Sequence, residues 1–305
     1  MNNRMKNARQ THPGQRLLNG WGLFGLIVLP MSVSVVIQLT QIDTTNPAHI
    51  SGMIALSVRL AVPWLFVAFA ASSLVILFPS KFSKWILRNR RIIGLCFAAG
   101  MAWQLLFILW FVFGFFGYYM EEAYNYYDLS EQIPGYVILF AMTFTSFKFG
   151  RSMISGRAWR ILHKGGIYFI WAVVWSTYWF ELYYYDDIQP IDYAYYWMGM
   201  AAWGVRIAAW SKKRRSSQKR KAAAAFDTSD QQFIPPALNR IVVGSLAGLG
   251  LFMIAYGNSW APMTLGLLAN ITFGGWVELF VPFLPIAPIY VAALAASSPA
   301  GEYLG

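Results

Sequence analysis

The stretch IIGLCFAAGMAWQLLFILWFVFGFF, residues 92–116, runs for 25 residues without one Asp, Glu, Lys or Arg. A helix rises about 1.5 Å per residue, so roughly 20 apolar residues cross the ~30 Å hydrocarbon core of a bilayer. A soluble domain seldom needs so long an uncharged run, and the stretch predicts a transmembrane helix. Working outward, apolar blocks recur at 21–40, 54–78, 136–147, 165–181, 193–210, 241–256 and 265–295, which with 92–116 makes eight. The composition agrees: of 305 residues 57% are hydrophobic, 18% aromatic and only 12% charged, against about 25% charged in an average globular chain. The expected fold is an all-α polytopic membrane helix bundle, with six helices before a linker and about two after it.

The net charge of +11 is explained by where the charges lie. Of the 24 Lys and Arg, 22 fall in the N-terminal tail, 81–91, 148–164 and 212–240, which are alternate connections. The connections between them, 41–53, 117–135 and 182–192, hold no Lys or Arg and eight of the 13 acids. The positive-inside rule then places the N-terminus and the basic loops in the cytoplasm. The charge serves topology, and nucleic acid is not an expected partner. The first apolar block is too long for a cleaved signal core and reads as a retained anchor. The glycosylation match Asn270-Ile271-Thr272 lies in an apolar block and is read as chance. One cysteine, Cys96, allows neither a disulfide framework nor a thiolate zinc site.

Four segments follow: a cytoplasmic tail at 1–20, a six-helix membrane domain at 21–211, a basic cytoplasmic linker at 212–240, and C-terminal membrane helices at 241–305. The linker opens with Ser211-Lys-Lys-Arg-Arg-Ser-Ser-Gln-Lys-Arg-Lys221 and ends at Pro235-Pro236. No dinucleotide fingerprint, phosphate loop or catalytic Ser/His/Asp set is visible, and the longest soluble segment, about 30 residues, is too short for a flavin or nicotinamide domain. No catalytic residue is assigned.

Several motifs occur in order along the six-helix part: Asn46-Pro47-Ala48-His49-Ile50-Ser51-Gly52, Arg90-Arg91-Ile92-Ile93-Gly94-Leu95, Thr143-Phe144-Thr145-Ser146, and Gly156-Arg157-Ala158-Trp159-Arg160-Ile161-Leu162-His163-Lys164. This order resembles the ferric-reductase-like transmembrane domain, nearest to the haem-binding membrane subunit of the bacterial methionine sulfoxide reductase system, the MsrQ or YedZ type. The resemblance covers roughly two thirds of the chain and implies a bacterial inner-membrane protein that carries electrons through b-type haem. It also implies haem histidines in the third and fifth helices, at positions that fall here on Gln104, His163 and Ser176. Only His163 keeps the imidazole. Gln104 offers an amide and Ser176 a hydroxyl, which hold haem poorly beside two imidazoles. The expected pair Gln104 and Ser176 lies at similar depth and faces a common space. His163 reads either as an interfacial residue near lipid phosphate, flanked by Arg160 and Lys164, or as the remaining ligand of an inner haem iron.

Three further polar residues lie in apolar blocks, where charge is costly and often functional. Arg59 either snorkels to the headgroups or pairs with an acid such as Glu181. Arg206 sits one turn from the cytoplasmic end and snorkels. Glu278 lies in a block broken by Pro282, Pro285 and Pro288, either at bilayer depth facing a cavity or in a loop between short segments. The outer loops are rich in Tyr and acid, at 118–128 and 183–193, and read as an aromatic belt or as a docking face for a positively charged periplasmic or redox partner. Two functions from different classes remain: a haem-free membrane component that binds a partner, or a b-haem electron-transfer subunit. A transporter using Glu278 and Arg59 ranks third.

Overall fold

The structure, a computed structural model, describes residues 17–184, 188–224, 236–268 and 274–297. The tail to residue 16, the loop residues 185–187, the linker residues 225–235 and the tripeptide at 270–272 lie outside the described residues. Every described element is helical: α1 Trp21–Gln41, α2 Pro47–Leu77, α3 Lys81–Gly114, α4 Tyr126–Phe144, α5 Lys148–Ser152, α6 Gly156–Tyr183, α7 Pro190–Ala224, α8 Pro236–Ala255, α9 Gly257–Leu268, α10 Gly274–Glu278 and α11 Ile286–Ala296. A π-helical turn, Tyr119–Ala123, precedes α4, and a 3-10 turn, Val281–Phe283, precedes α11.

Among the described residues, four helices are long and apolar enough to cross a membrane: α1, α2, α3 and residues Leu238–Ala255 of α8. The bent pair Gly275–Phe283 and Ile286–Ala296, 43° apart, makes a fifth if it is one broken span. The prolines at 282 and 285 account for that break, since proline removes a backbone donor and clashes with the preceding turn. Helices α4, α6 and α7 cover other expected blocks; α6 and α7 bury Trp171, Trp175, Tyr178, Trp179, Tyr196 and Trp203, and the polar ends of such rings lower mean hydropathy. The chain is thus an α-helical multi-pass membrane protein with four or five apolar spans by length and composition.

The chain divides into two compact units. The first takes the described residues of Met1–Ala68, Lys84–Asn125 and Val137–Lys164, the second those of Phe69–Ser83, Tyr126–Tyr136 and Gly165–Gly305.

In the first unit α1, α2 and α3 close on small residues. A Cβ on Gly100 would stand 2.5 Å from the Ala61 methyl and 3.2 Å from Met31 Sδ, so three helices meet where residue 100 has no side chain. Val35, Met53 and Phe107 form a buried cluster nearby, and the Trp103 indole donates to Ser32 Oγ at 3.0 Å. At the start of α1 the Gly20 amide, at φ 58°, donates to Asn89 Oδ1 at 3.1 Å. The Trp85 indole donates to Leu18 O at 2.9 Å. The motif at residue 46 is a helix start: Asn46 Oδ1 accepts the Ala48 amide at 3.0 Å, and Pro47 supplies the preset first turn. The preceding loop is held by Asp43, whose carboxylate accepts the Thr45 hydroxyl at 2.7 Å and the Thr45 amide at 2.9 Å. Those two bonds hold it below the usual carboxylate range.

In the second unit a ladder of rings forms the core. Trp171 stacks on Phe69 with centroids 5.4 Å apart and on Trp175 at 5.5 Å, and Trp175 stacks on Tyr196 at 5.5 Å. Residues 171 and 175 are four apart and so share a face of α6. Each indole also anchors α7 by its N–H, Trp171 to Gly199 O at 2.9 Å and Trp175 to Tyr196 O at 3.1 Å. Tyr183 and Tyr196 both donate to Ile254 O of α8, at 3.1 and 3.0 Å. Helix α7 continues through the first half of the expected linker to Ala224, since nothing between Gly204 and Pro235 interrupts it.

Candidate functional site

Helix α6 begins inside the motif 156–164, so His163 lies on its first turns and not at its mouth. Gly150 makes this possible. A Cβ there would lie 2.3 Å from Phe144 O, and only glycine lets the chain turn so tightly between α4 and α6. Ser155 Oγ accepts the Ala158 amide at 3.1 Å and starts α6. Thr145, at the end of α4, is thereby set against His163, its Oγ1 3.0 Å from Nε2. The Trp159 ring lies on the imidazole with centroids 4.4 Å apart, four residues back on the same helix face. The Trp159 indole N–H donates to Thr145 O at 3.2 Å, and the Arg151 guanidinium covers its other environment, 5.2 Å from the ring centroid. Burial lowers the imidazole pKa, and the charges of Arg90 and Arg151 lower it further.

Of the other two resemblance positions, Ser176 is held by its own neighbours. Ser176 of α6 is buried, 3% exposed. Its Oγ donates to Val173 O at 2.9 Å and lies 3.4 Å from Glu131 Oε1 of α4. Gln104 is half-buried on α3. Gln104 belongs to the first unit and Ser176 to the second.

These donors do not fit an iron porphyrin as they stand. An axial ligand needs a free imidazole lone pair or its equivalent. The Nε2 of His163 is engaged by Thr145 and roofed by Trp159, and the Ser176 hydroxyl is engaged by a backbone carbonyl and a carboxylate. Among the described residues, no three His, Cys, Asp or Glu come together as a metal site.

Arg206 is clamped by its neighbours. Its Nε donates to Tyr168 Oη at 3.0 Å and its Nη1 to Phe69 O at 2.8 Å. Both rings face the guanidinium, each centroid 4.3 Å away. Arg59 is half-buried on α2. Because α2 starts at Pro47 and not near 54, Arg59 lies about 18 Å along it at 1.5 Å per residue. Glu278 is the half-buried last residue of α10, next to the turn that leads into Val281–Phe283. The acid-rich turn Tyr119–Ala123 carries exposed Glu121 and Glu122 between exposed Tyr118 and Tyr124.

Two partners of the site were not singled out by sequence reasoning. Glu131 looked like one more outer acid, and its place against Ser176 depends on α4 starting ten residues before the apolar block. Arg151 looked like topology charge. The Trp159 to His163 spacing of four residues was the signal that could have found the stack.

Compared with family models, with curated proteins and with solved structures, the chain finds no match.

Proposed function

We propose that this protein is a haem-free, non-catalytic component of the bacterial inner membrane that binds a protein partner. In this reading the six long helices α1, α2, α3, α4, α6 and α7 follow the ferric-reductase-like plan, with the N-terminus in the cytoplasm, and the haem positions 163 and 176 have become structural polar contacts. The observation that carries the proposal is the engagement of His163 Nε2 by Thr145 beneath Trp159. A side chain that holds the end of α4 against α6 gives packing, and its Nε2 is taken up by that contact. The engagement of the Ser176 hydroxyl supports the same reading. The exposed Glu121 and Glu122 beside Tyr118 and Tyr124 supply the docking face, since clustered acids attract a cationic partner and tyrosines add contact area at low entropy cost.

The experiment is an absorption spectrum of the purified full chain, with a dithionite difference spectrum. The expected protein is colourless in the Soret region. A stoichiometric Soret band that disappears in His163→Ala overturns the proposal and establishes the electron-transfer alternative.

A further inference from the structure

At the basic end of the first unit, residues 84–91 and 148–164 carry nine Lys and Arg and no Asp or Glu. Two of these cations converge on one point. Gly156 has no side chain, and the position its Cβ would take lies 3.6 Å from Arg151 Nη2 and 3.8 Å from Arg160 Nη1. Arg151 is fixed from behind: its Nη1 donates to Ile154 O at 3.0 Å, and its guanidinium lies over Trp159. Arg160 is exposed. The N-terminal part of α3 is tied to the same region, with Arg91 over Phe147 at 5.6 Å, and the charge of Arg90 is felt at His163. Like charges brought together repel unless an anion joins them. Among the described residues, the segments 84–91 and 148–164 supply none.

We propose that Arg151 and Arg160, converging over Gly156, bind the phosphate of an anionic phospholipid headgroup. At about 2.8 Å for each charge-assisted hydrogen bond, one phosphate reaches both guanidiniums. The remaining cations at this end raise the local potential and favour a net negative headgroup over a zwitterionic one. Trp159 beneath Arg151 is the residue type that settles at the headgroup level, so the site stands where such lipids lie. The contact of the Arg151 guanidinium with Trp159 and its bond to Ile154 O preorganise one of the two guanidiniums, which reduces the entropy lost on binding. The site uses none of the residues of the acidic face assigned to a protein partner, and it stands whether or not haem is bound.

The test is native mass spectrometry of the full chain in detergent, titrated with phosphatidylglycerol, with phosphatidylcholine as the zwitterionic control. Wild type is expected to retain one phosphatidylglycerol about tenfold more tightly than phosphatidylcholine. Arg160→Gln, which leaves the Arg151 and Trp159 contacts in place, should weaken that binding about fivefold. The pair Arg151→Gln with Arg160→Gln should remove the preference. The pair Lys212→Gln with Lys213→Gln, exposed basic residues elsewhere, should leave it unchanged. The proposal is overturned if Arg160→Gln binds like wild type, if the Lys212 and Lys213 pair loses the preference equally, or if inorganic phosphate displaces the lipid.

Discussion

Gly100 of α3 faces Ala61 of α2 so closely that a Cβ on residue 100 would meet the alanine methyl at 2.5 Å. Without a strong hydrophobic drive between helices in lipid, close backbone approach at small residues carries much of the association. Gly100→Ala should therefore destabilise the fold by about 1 to 3 kcal/mol through overpacking. Gly94, on the same helix, has nothing within 4 Å of its added Cβ. Gly94→Ala should be neutral or gain up to about 1 kcal/mol from helix propensity. Thermal unfolding of the two variants in detergent distinguishes them, and equal melting temperatures would show that the α2 and α3 contact is looser than described.

The Arg206 clamp gives a graded series. Tyr168→Phe removes the acceptor of the Nε bond but keeps a ring over the guanidinium, and should lose about 1 kcal/mol. Arg206→Lys keeps the charge but cannot donate in two fixed directions while lying against two rings, and should lose about 2 kcal/mol or more. Were Arg206 only snorkelling, Lys would serve as well, and the melting temperature of Arg206→Lys would match that of wild type.

Asn46→Ala should cost about 0.5 to 2 kcal/mol, since it removes the side chain that accepts the Ala48 amide at the start of α2. Asn46→Asp keeps the acceptor and should be near neutral. Measured by denaturation in detergent, this pair tests whether the motif at 46–52 is chiefly a helix start. If Asn46→Asp fell as far as Asn46→Ala, a role for the amide beyond capping would be required.

The long apolar helices were legible because lipid admits little else: residues 92–114 could hardly form anything but part of α3. Helix ends were less so. α3 reaches back to Lys81 and α6 to Gly156, because Lys, Arg and Trp continue a helix through the interface and only Gly, Pro or a cap stops it. The same reason explains the linker. Residues 212–224 carry a dense positive charge, which reads as solvated coil, yet Ala, Lys, Arg and Gln are strong helix formers and no Gly or Pro intervenes. The ladder of Trp171 and Trp175 on Phe69 and Tyr196 was not legible, because residues 69 and 196 come from other helices. At the site, the sequence showed that two imidazoles of the resemblance were missing. It did not show that the third was already engaged, since the partner Thr145 lies 18 residues away across a turn set by Gly150.

That engagement makes stability depend on pH. Burial and the charges of Arg90 and Arg151 hold the His163 pKa below its ordinary 6.5. As the pH falls through 6.5 the unfolded chain takes up the proton first, so acid favours unfolding. The contribution of the neutral imidazole is therefore fully present above 6.5 and is lost as the pH falls toward the lowered folded value. Melting temperatures in detergent, taken at steps from about pH 8 to about pH 5, should decline for wild type in the acid half of the series. His163→Gln should have a lower but flatter profile there, because an amide does not titrate. If wild type and His163→Gln declined in parallel, acid sensitivity would belong to other groups, such as Asp43, whose lowered carboxyl pKa also makes acid destabilising but at a lower pH. Thr145→Val separates the hydrogen bond from the burial: it removes the partner and leaves the electrostatics of Arg90 and Arg151, so its profile should shift downward while keeping the wild-type slope.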